Sequence, residues 1–414
     1  MAQLASTRSG RPTQAAPLSE LLYGSIFWIY VLFLTACLFE IRVISQYLLL
    51  FLLIPLTLIQ QAYDWRINDR VRSSHFPVNF SIIFCASALY LVSLLFSGII
   101  IRDLGFSIQI VLFLLLTGIL VSSWEDFLRS FFTVMGVVAA LHAVSEIASW
   151  LSRTSTLPII DAYLSGFRLG RPRAATTLAA MYGMFLVACL ATLSRGVTSV
   201  WHRLILTASG LILLFAVLLT QTRSGYLAVL GGITAVLIRS SRMMRFAAMA
   251  MPILGVMLII SIPTLRDTLW LRGDSYRFET WSHYLQLAEE EPVRGHGSAD
   301  VSFKANDGYH VKHPHNLVLS SLVRGGVLGA VAMITMLLGG LYYAARYAKL
   351  TGNAVALGIM VTLLLFGLFD QDIRPKRFFH WQILVFWLPI GICIGTELFV
   401  RARSAHLLRK GAGE

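Results

Sequence analysis

The run LILTASGLILLFAVLLT at 204–220, the short turn QTRSG at 221–225 and the run YLAVLGGITAVLIR at 226–239 decide how the chain is read. Apolar residues follow one another here without the polar stripe that a surface helix keeps on its solvent side. Such runs suit bilayer spans of about 20 residues. Comparable runs recur at 21–39, 43–62, 78–96, 107–121, 129–150, 175–193, 246–263, 325–344, 353–369 and 382–399. Of the 414 residues, 57% are hydrophobic and 13% charged. A soluble domain carries about a quarter charged residues, so the apolar excess replaces charge. The pattern excludes a soluble enzyme, a disordered chain and a coiled coil. It predicts an all-α polytopic membrane protein with about 12 transmembrane helices.

From that pattern the chain divides into a cytoplasmic segment at 1–20, nine helices in 21–263, a large outer loop at 264–324, three helices in 325–399 and a cytoplasmic tail at 400–414. The loop has its own helical stretch, Ser275 to Glu291, and a glycine turn, Gly295-His-Gly297. The first run lacks the pattern of a cleaved signal and reads as a span. Cys37, Cys85, Cys189 and Cys393 all sit within apolar runs and read as small buried hydrophobes, not a disulfide frame or a zinc set. The net charge of +13 would suggest nucleic acid in a soluble protein; in a membrane chain it points to anionic lipids or lipid-linked substrates.

Cytoplasmic loops carry an excess of Lys and Arg. With the N-terminus placed inside, the 34 basic residues divide evenly between the two sets of connections. The outer surplus sits at Arg153, Arg168, Arg171 and Arg173, at Arg223, at Arg266, Arg272, Arg277, Arg294, Lys304, Lys312 and Arg324, and at Arg374, Lys376 and Arg377. Cations that defy the topology bias need another reason to be there. An anion-binding cavity is one, because guanidinium forks match phosphate oxygens. A reversed orientation is the other. The basic loop Arg239 to Arg245 and the tail from Arg401 favour the first.

Four places could carry chemistry. Arg223, between two apolar runs, is a functional candidate by its depth or else a snorkelling side chain at a helix end. Arg277 opens a stretch in which Tyr276, Trp281, Tyr284, Leu285 and Ala288 recur at helical spacing; alone it reads equally as a solvated surface residue. His313-Pro-His315-Asn316 opens the tenth span. A histidine there can take a proton near neutral pH, while a His-Asn cap is the plainer reading. His313 and His315 lack a third ligand at metal-site spacing. His142 and Glu146, four apart in the fifth span, suit a mutually satisfied polar pair or a proton relay.

Three motifs, in order, resemble the O-antigen ligase and polymerase superfamily of bacterial membrane glycosyltransferases. Thr220-Gln-Thr-Arg223-Ser224 is similar to the T-x-[ST]-R-[GSA] element. Arg277, Trp281, Pro292 and Gly295-His-Gly297 match R-x3-W…P-x2-G-x-G. His315-Asn316-Leu317-Val318-Leu319 with Gly326 and Gly329 matches H-N-x-x-[LI]…G-x-x-G. The first 170 residues match in hydropathy alone. The resemblance implies a GT-C-like fold in the bacterial inner membrane, with a site facing the periplasm. It implies a metal-independent, inverting transfer from undecaprenyl diphosphate without a cofactor. Arg223 and Arg277 would hold the donor diphosphate and His315 would be the base. Arg168, Arg171, Arg173, Arg294, His313, Asn316 and Arg324 are expected to contact substrate. Many relatives have Glu where Arg324 stands, which would add positive charge at the cavity mouth and suit a phosphorylated acceptor.

Two acceptors fit this chemistry. A ligase passes the O-polysaccharide to lipid A–core; a polymerase joins lipid-linked repeat units. The basic residues at Arg168 to Arg173 and at Arg324 favour the polyanionic lipid A–core. A lipid or anion transporter is the reading from another class, but transporters place polar groups at mid-membrane on interrupted helices. Here the polar groups crowd one face. No Asp-x-Asp or dense carboxylate pair on that face stands clear of cations; the nearest, Asp370-x-Asp372, is flanked by Arg374, Lys376 and Arg377 and does not suit Mg²⁺.

Overall fold

A computed structural model describes residues 16–67, 81–95, 101–124, 126–153, 175–195, 199–239, 261, 277–297, 299, 301–304, 310–370 and 380–411. The helices among them are α1 (Ala16–Leu38), α2 (Arg42–Tyr47), α3 (Ile54–Ile67), α4 (Ile82–Ser93), α5 (Ile101–Ser123), α6 (Phe127–Arg153), α7 (Ala175–Ser194), α8 (Val200–Leu219), α9 (Arg223–Ile238), α10 (Arg277–Glu290), α11 (Leu317–Thr351), α12 (Val355–Asp370), α13 (His380–Gln382) and α14 (Leu388–Gly411). A π-helical stretch, Leu48–Leu53, joins α2 to α3, and another, Ile383–Trp387, joins α13 to α14. Phe303–Lys304 (β1) and His310–Val311 (β2) pair antiparallel, a small departure from the all-helical expectation.

Eight stretches of the described helices are long and apolar enough to cross a bilayer, and α4, α9 and α12 are shorter apolar helices. The protein is a polytopic membrane protein. The expected ninth span, 246–263, lies outside the described residues except for Ser261. Helix α11 begins at Leu317, eight residues before the apolar run at 325. The polar residues of that first segment are tolerated because they face protein: Ser320, Ser321 and Arg324 are all buried.

In lipid, helices gain little from burying apolar surface against one another, so close packing of small residues carries association. Helices α7, α9 and α12 meet this way. A Cβ at Gly232 would lie 2.9 Å from Val187 and 3.0 Å from the Gly358 carbonyl; one at Gly358 would lie 2.6 Å from both Val187 and Val236. This contact sets the register of α9 against α12, which run antiparallel. It brings the first turn of α9 beside the last residue of α12.

The opposite end is held by one carboxylate. Glu397 of α14 is fully buried and accepts hydrogen bonds from Ser81 Oγ (2.7 Å), Ile82 N (2.9 Å) and Ile83 N (3.1 Å). It thereby satisfies amides that the start of α4 leaves without helical partners. Arg401, one turn on, pairs with Glu397 at 2.6 Å, donates to the Tyr343 hydroxyl and stands over that ring. Replacing Glu397 with Ala strands three donors and takes the acceptor from the partly exposed Arg401 guanidinium. The expected loss is about 3–5 kcal/mol, read as a lower unfolding temperature in detergent.

Candidate active site

Three helix starts converge where α12 ends. The turn before α9 is tight: Gln221 takes φ +49°, Thr222 is extended, and Arg223 is the first helical residue. Next to it, Ser224 Oγ donates to Asp370 Oδ2 at 2.7 Å. At the start of α11, Asn316 Oδ1 accepts from Leu319 N at 2.9 Å, and its amide donates to the Leu368 carbonyl at 3.1 Å. Asn316 is therefore both an N-cap and a tie to α12. His315, just before it, takes φ +53°, and its Nδ1 lies 3.0 Å from Asp370 Oδ1. The carboxylate can only accept, so Nδ1 carries the hydrogen and Nε2 is left as the basic nitrogen. The His315 side chain is 37% exposed and that of Asp370 9%, so the imidazole is reachable while its partner is shielded.

The third start is α10. Arg277 is its first residue and stands 5.8 Å from the centre of the Phe369 ring, the neighbour of Asp370. Trp281 Nε1, one turn on, donates to the Pro314 carbonyl at 2.9 Å. Arg277 and His315 are thus brought to neighbouring residues, Phe369 and Asp370. A cation at a helix N-terminus works against the helix dipole, which favours anions there. The first turn of α9 holds no acidic residue, and that of α10 holds only Glu279. An anion placed between them would meet both the guanidiniums and the helix dipoles.

The glycine turn locks α10 to α11. Gly326 takes φ +61° and ψ −163° and breaks α11. The Pro292–Gly297 loop fits the break: Val327 N donates to the Pro292 carbonyl at 2.8 Å, His296 N to the Val323 carbonyl at 2.7 Å, and Gly297 N to the Arg324 carbonyl at 2.8 Å. A Cβ at Gly295 would lie 2.5 Å from Arg324 backbone, and one at Gly326 would overlap the Val293 carbonyl. The second and third motifs are halves of one joint.

Arg324 corrects an expectation. It is 1% exposed, and its guanidinium donates to the carbonyls of Gly297 (3.0 Å) and Ala299 (3.5 Å). In place of lining a cavity mouth, it braces the loop inside the break. Arg294 is exposed beyond the end of α10. His313 lies against His315 with ring centres 4.1 Å apart and the rings tilted by 51°. Arg168, Arg171 and Arg173 lie outside the described residues. His142 bonds across to the Tyr182 hydroxyl of α7 at 2.8 Å, so its hydrogen-bond partner there is on a neighbouring helix, not Glu146 one turn along its own. Asp370 and Ser224 had no assigned role in the sequence reading. Asp370 offered a signal, since a carboxylate closing an apolar run is costly at membrane depth.

Residues 208–334 match the family model described as O-antigen ligase. That range holds Arg223, Arg277, His315 and the loop joint, and stops short of Asp370. An O-antigen ligase of Pseudomonas aeruginosa is 26% identical over 183 residues, covering 42% of this chain. The match spans 43% of that relative's length. The resemblance carried by the three motifs is borne out at the level of this family.

Gly326→Ala should cost about 1–3 kcal/mol from the left-handed backbone alone, and the clash with Val293 should push the loop out of the break. Trypsin cleavage at the exposed Arg294 should then be faster than in the unaltered protein, and the unfolding temperature in detergent lower.

Proposed function

We propose that this protein is an O-antigen ligase: a membrane glycosyltransferase that moves a glycan from undecaprenyl diphosphate to lipid A–core. The observation that carries the reading is the His315–Asp370 pair set among three helix starts, two of them headed by Arg223 and Arg277. The acceptor hydroxyl gives its proton to His315 Nε2, and its oxygen attacks the anomeric carbon. The bond from that carbon to the diphosphate oxygen breaks, and its electron pair leaves with the diphosphate. A single displacement inverts the anomeric centre. The imidazolium then returns its proton to solvent. Asp370 keeps His315 in the tautomer that can act as a base and supports the imidazolium that forms. The guanidiniums of Arg223 and Arg277 and the helix amides meet the charge developing on the leaving diphosphate.

A metal-independent mechanism suits this donor set. Both oxygens of Asp370 are engaged, by His315 and Ser224, and the groups beside them among the described residues are chiefly cations and imidazoles. The periplasmic orientation rests on the basic connections at the opposite end of the bundle, which carries Arg195, Arg203, Arg239, Arg346, Lys349 and Arg403, since the total Lys and Arg divide evenly. The polymerase shares every residue of this scheme and differs in acceptor. Because Arg324 braces the loop, it no longer argues for a phosphorylated acceptor, and the ligase assignment rests on the family match.

His315→Ala, Arg223→Ala and Arg277→Ala should each abolish transfer while the protein still inserts. Asp370→Asn should slow it at least ~100-fold, because an amide can present a hydrogen to Nδ1 and shift the tautomer. Normal transfer by His315→Ala removes the base assignment. The decisive experiment is reconstitution in EDTA with undecaprenyl-diphosphate-linked oligosaccharide, with and without lipid A–core. Product on lipid A–core establishes the ligase. Longer lipid-linked chains made without it mean polymerase, and no product in either tube returns transport to first place.

A further inference from the structure

A carboxylate held by one hydrogen bond can turn about its last side-chain bond and carry that bond with it. Asp370 is held by two, from separate elements: His315 from the loop before α11 and Ser224 from the first turn of α9. Serine near a helix start commonly folds its hydroxyl back onto its own backbone. Ser224 instead sends its hydroxyl to a side chain 146 positions away. It is a firm anchor, 4% exposed, and the next residue, Gly225, packs so closely on α7 that a Cβ there would lie 2.6 Å from Ala179.

We propose that Ser224 is a positioning residue for the base: it fixes the Asp370 carboxylate so that Oδ1 faces His315 and Nδ1 keeps the hydrogen. This rests on the reading of His315 as the base. Without the Ser224 hydroxyl the carboxylate is free to rotate, and His315 spends part of its time without an anionic partner. Among the described residues, the other charged and titratable groups near the imidazole include His313, whose tilted ring lies against it, Lys312 on the same loop, Arg277 beyond Phe369, and Arg223 beside Ser224. Most of these are cations, which disfavour imidazolium, while Asp370 favours it. Loosening Asp370 therefore lowers the pH at which His315 takes up its proton. It also lowers the fraction of enzyme holding the productive tautomer.

The test uses the full-length protein in detergent and reads His315 directly. Carbethoxylation of His315 by diethyl pyrocarbonate is followed against pH by peptide mass, because only the neutral imidazole reacts. Transfer from undecaprenyl-diphosphate-linked oligosaccharide to lipid A–core is measured over the same range. In Ser224→Ala the midpoint of His315 modification should fall by about half a unit, and transfer at neutral pH should drop about tenfold, the scale of one lost hydrogen bond to a charged group. Ser224→Thr, which keeps the hydroxyl, should restore both. An unchanged or raised midpoint in Ser224→Ala overturns the proposal, even with His315→Ala inactive. Wild-type transfer by His315→Ala overturns the base reading itself, and the modification curve distinguishes the two failures because it needs no turnover.

Discussion

The carboxylate of Asp370 is the point on which the site depends. It closes α12, and its two oxygens take one hydrogen bond each from chain segments about 90 residues apart, Ser224 and His315. An ionised group at the end of a membrane helix is costly unless its charge is met. Here it is met by an imidazole and a hydroxyl, and the cost of burial becomes a reason for those partners to stay in place. The register that delivers Ser224 to Asp370 is set two turns deeper, where α9 and α12 approach through Gly232 and Gly358. Bulk at that contact would part the helices and with them the site.

Around this pair the protein accepts several locally unfavourable choices. His315 and Gln221 sit at positive φ without being glycine. Arg223 and Arg277 each stand at the positive end of a helix dipole. Strain and like-charge placement of this kind persist where the surrounding structure over-determines them, and they concentrate at functional sites. A diphosphate would reverse the sign of the second cost, since it would meet guanidinium, amide and dipole together. The loop joint supplies the over-determination. Pro292 to Gly297 sits in the break of α11, Trp281 bonds to the chain beside His315, and buried Arg324 ties off the loop carbonyls.

Much of this was legible in the residues. Apolar runs without polar stripes located the helices, since backbone amides in hydrocarbon must be satisfied within the segment. The motifs picked out Arg223, Arg277 and His315, and all three fall at helix starts. What failed to read was the partner of each polar group. Arg324 resembled another cation at a cavity mouth because charge alone does not say whether a guanidinium faces a ligand or a pair of carbonyls. His142 and Glu146 fit one turn of one helix, yet the hydrogen bond goes to Tyr182 on another. Hydropathy alone put the tenth span at 325, because Ser320, Ser321 and Arg324 lower it, whereas His315-Asn316 marked the helix start that the Asn316 cap makes.

The sequence by itself determined that this is a helical membrane protein and marked its resemblance to the O-antigen ligase family, because hydropathy and short motifs are properties of neighbouring residues. Tertiary structure alone decided that Asp370 partners His315, that Ser224 holds Asp370, and that the glycine turn and the kink at Gly326 are one joint. Each of those depends on contacts between residues tens to hundreds of positions apart. Their geometry is set by helix register and crossing, which no local pattern of residue types encodes.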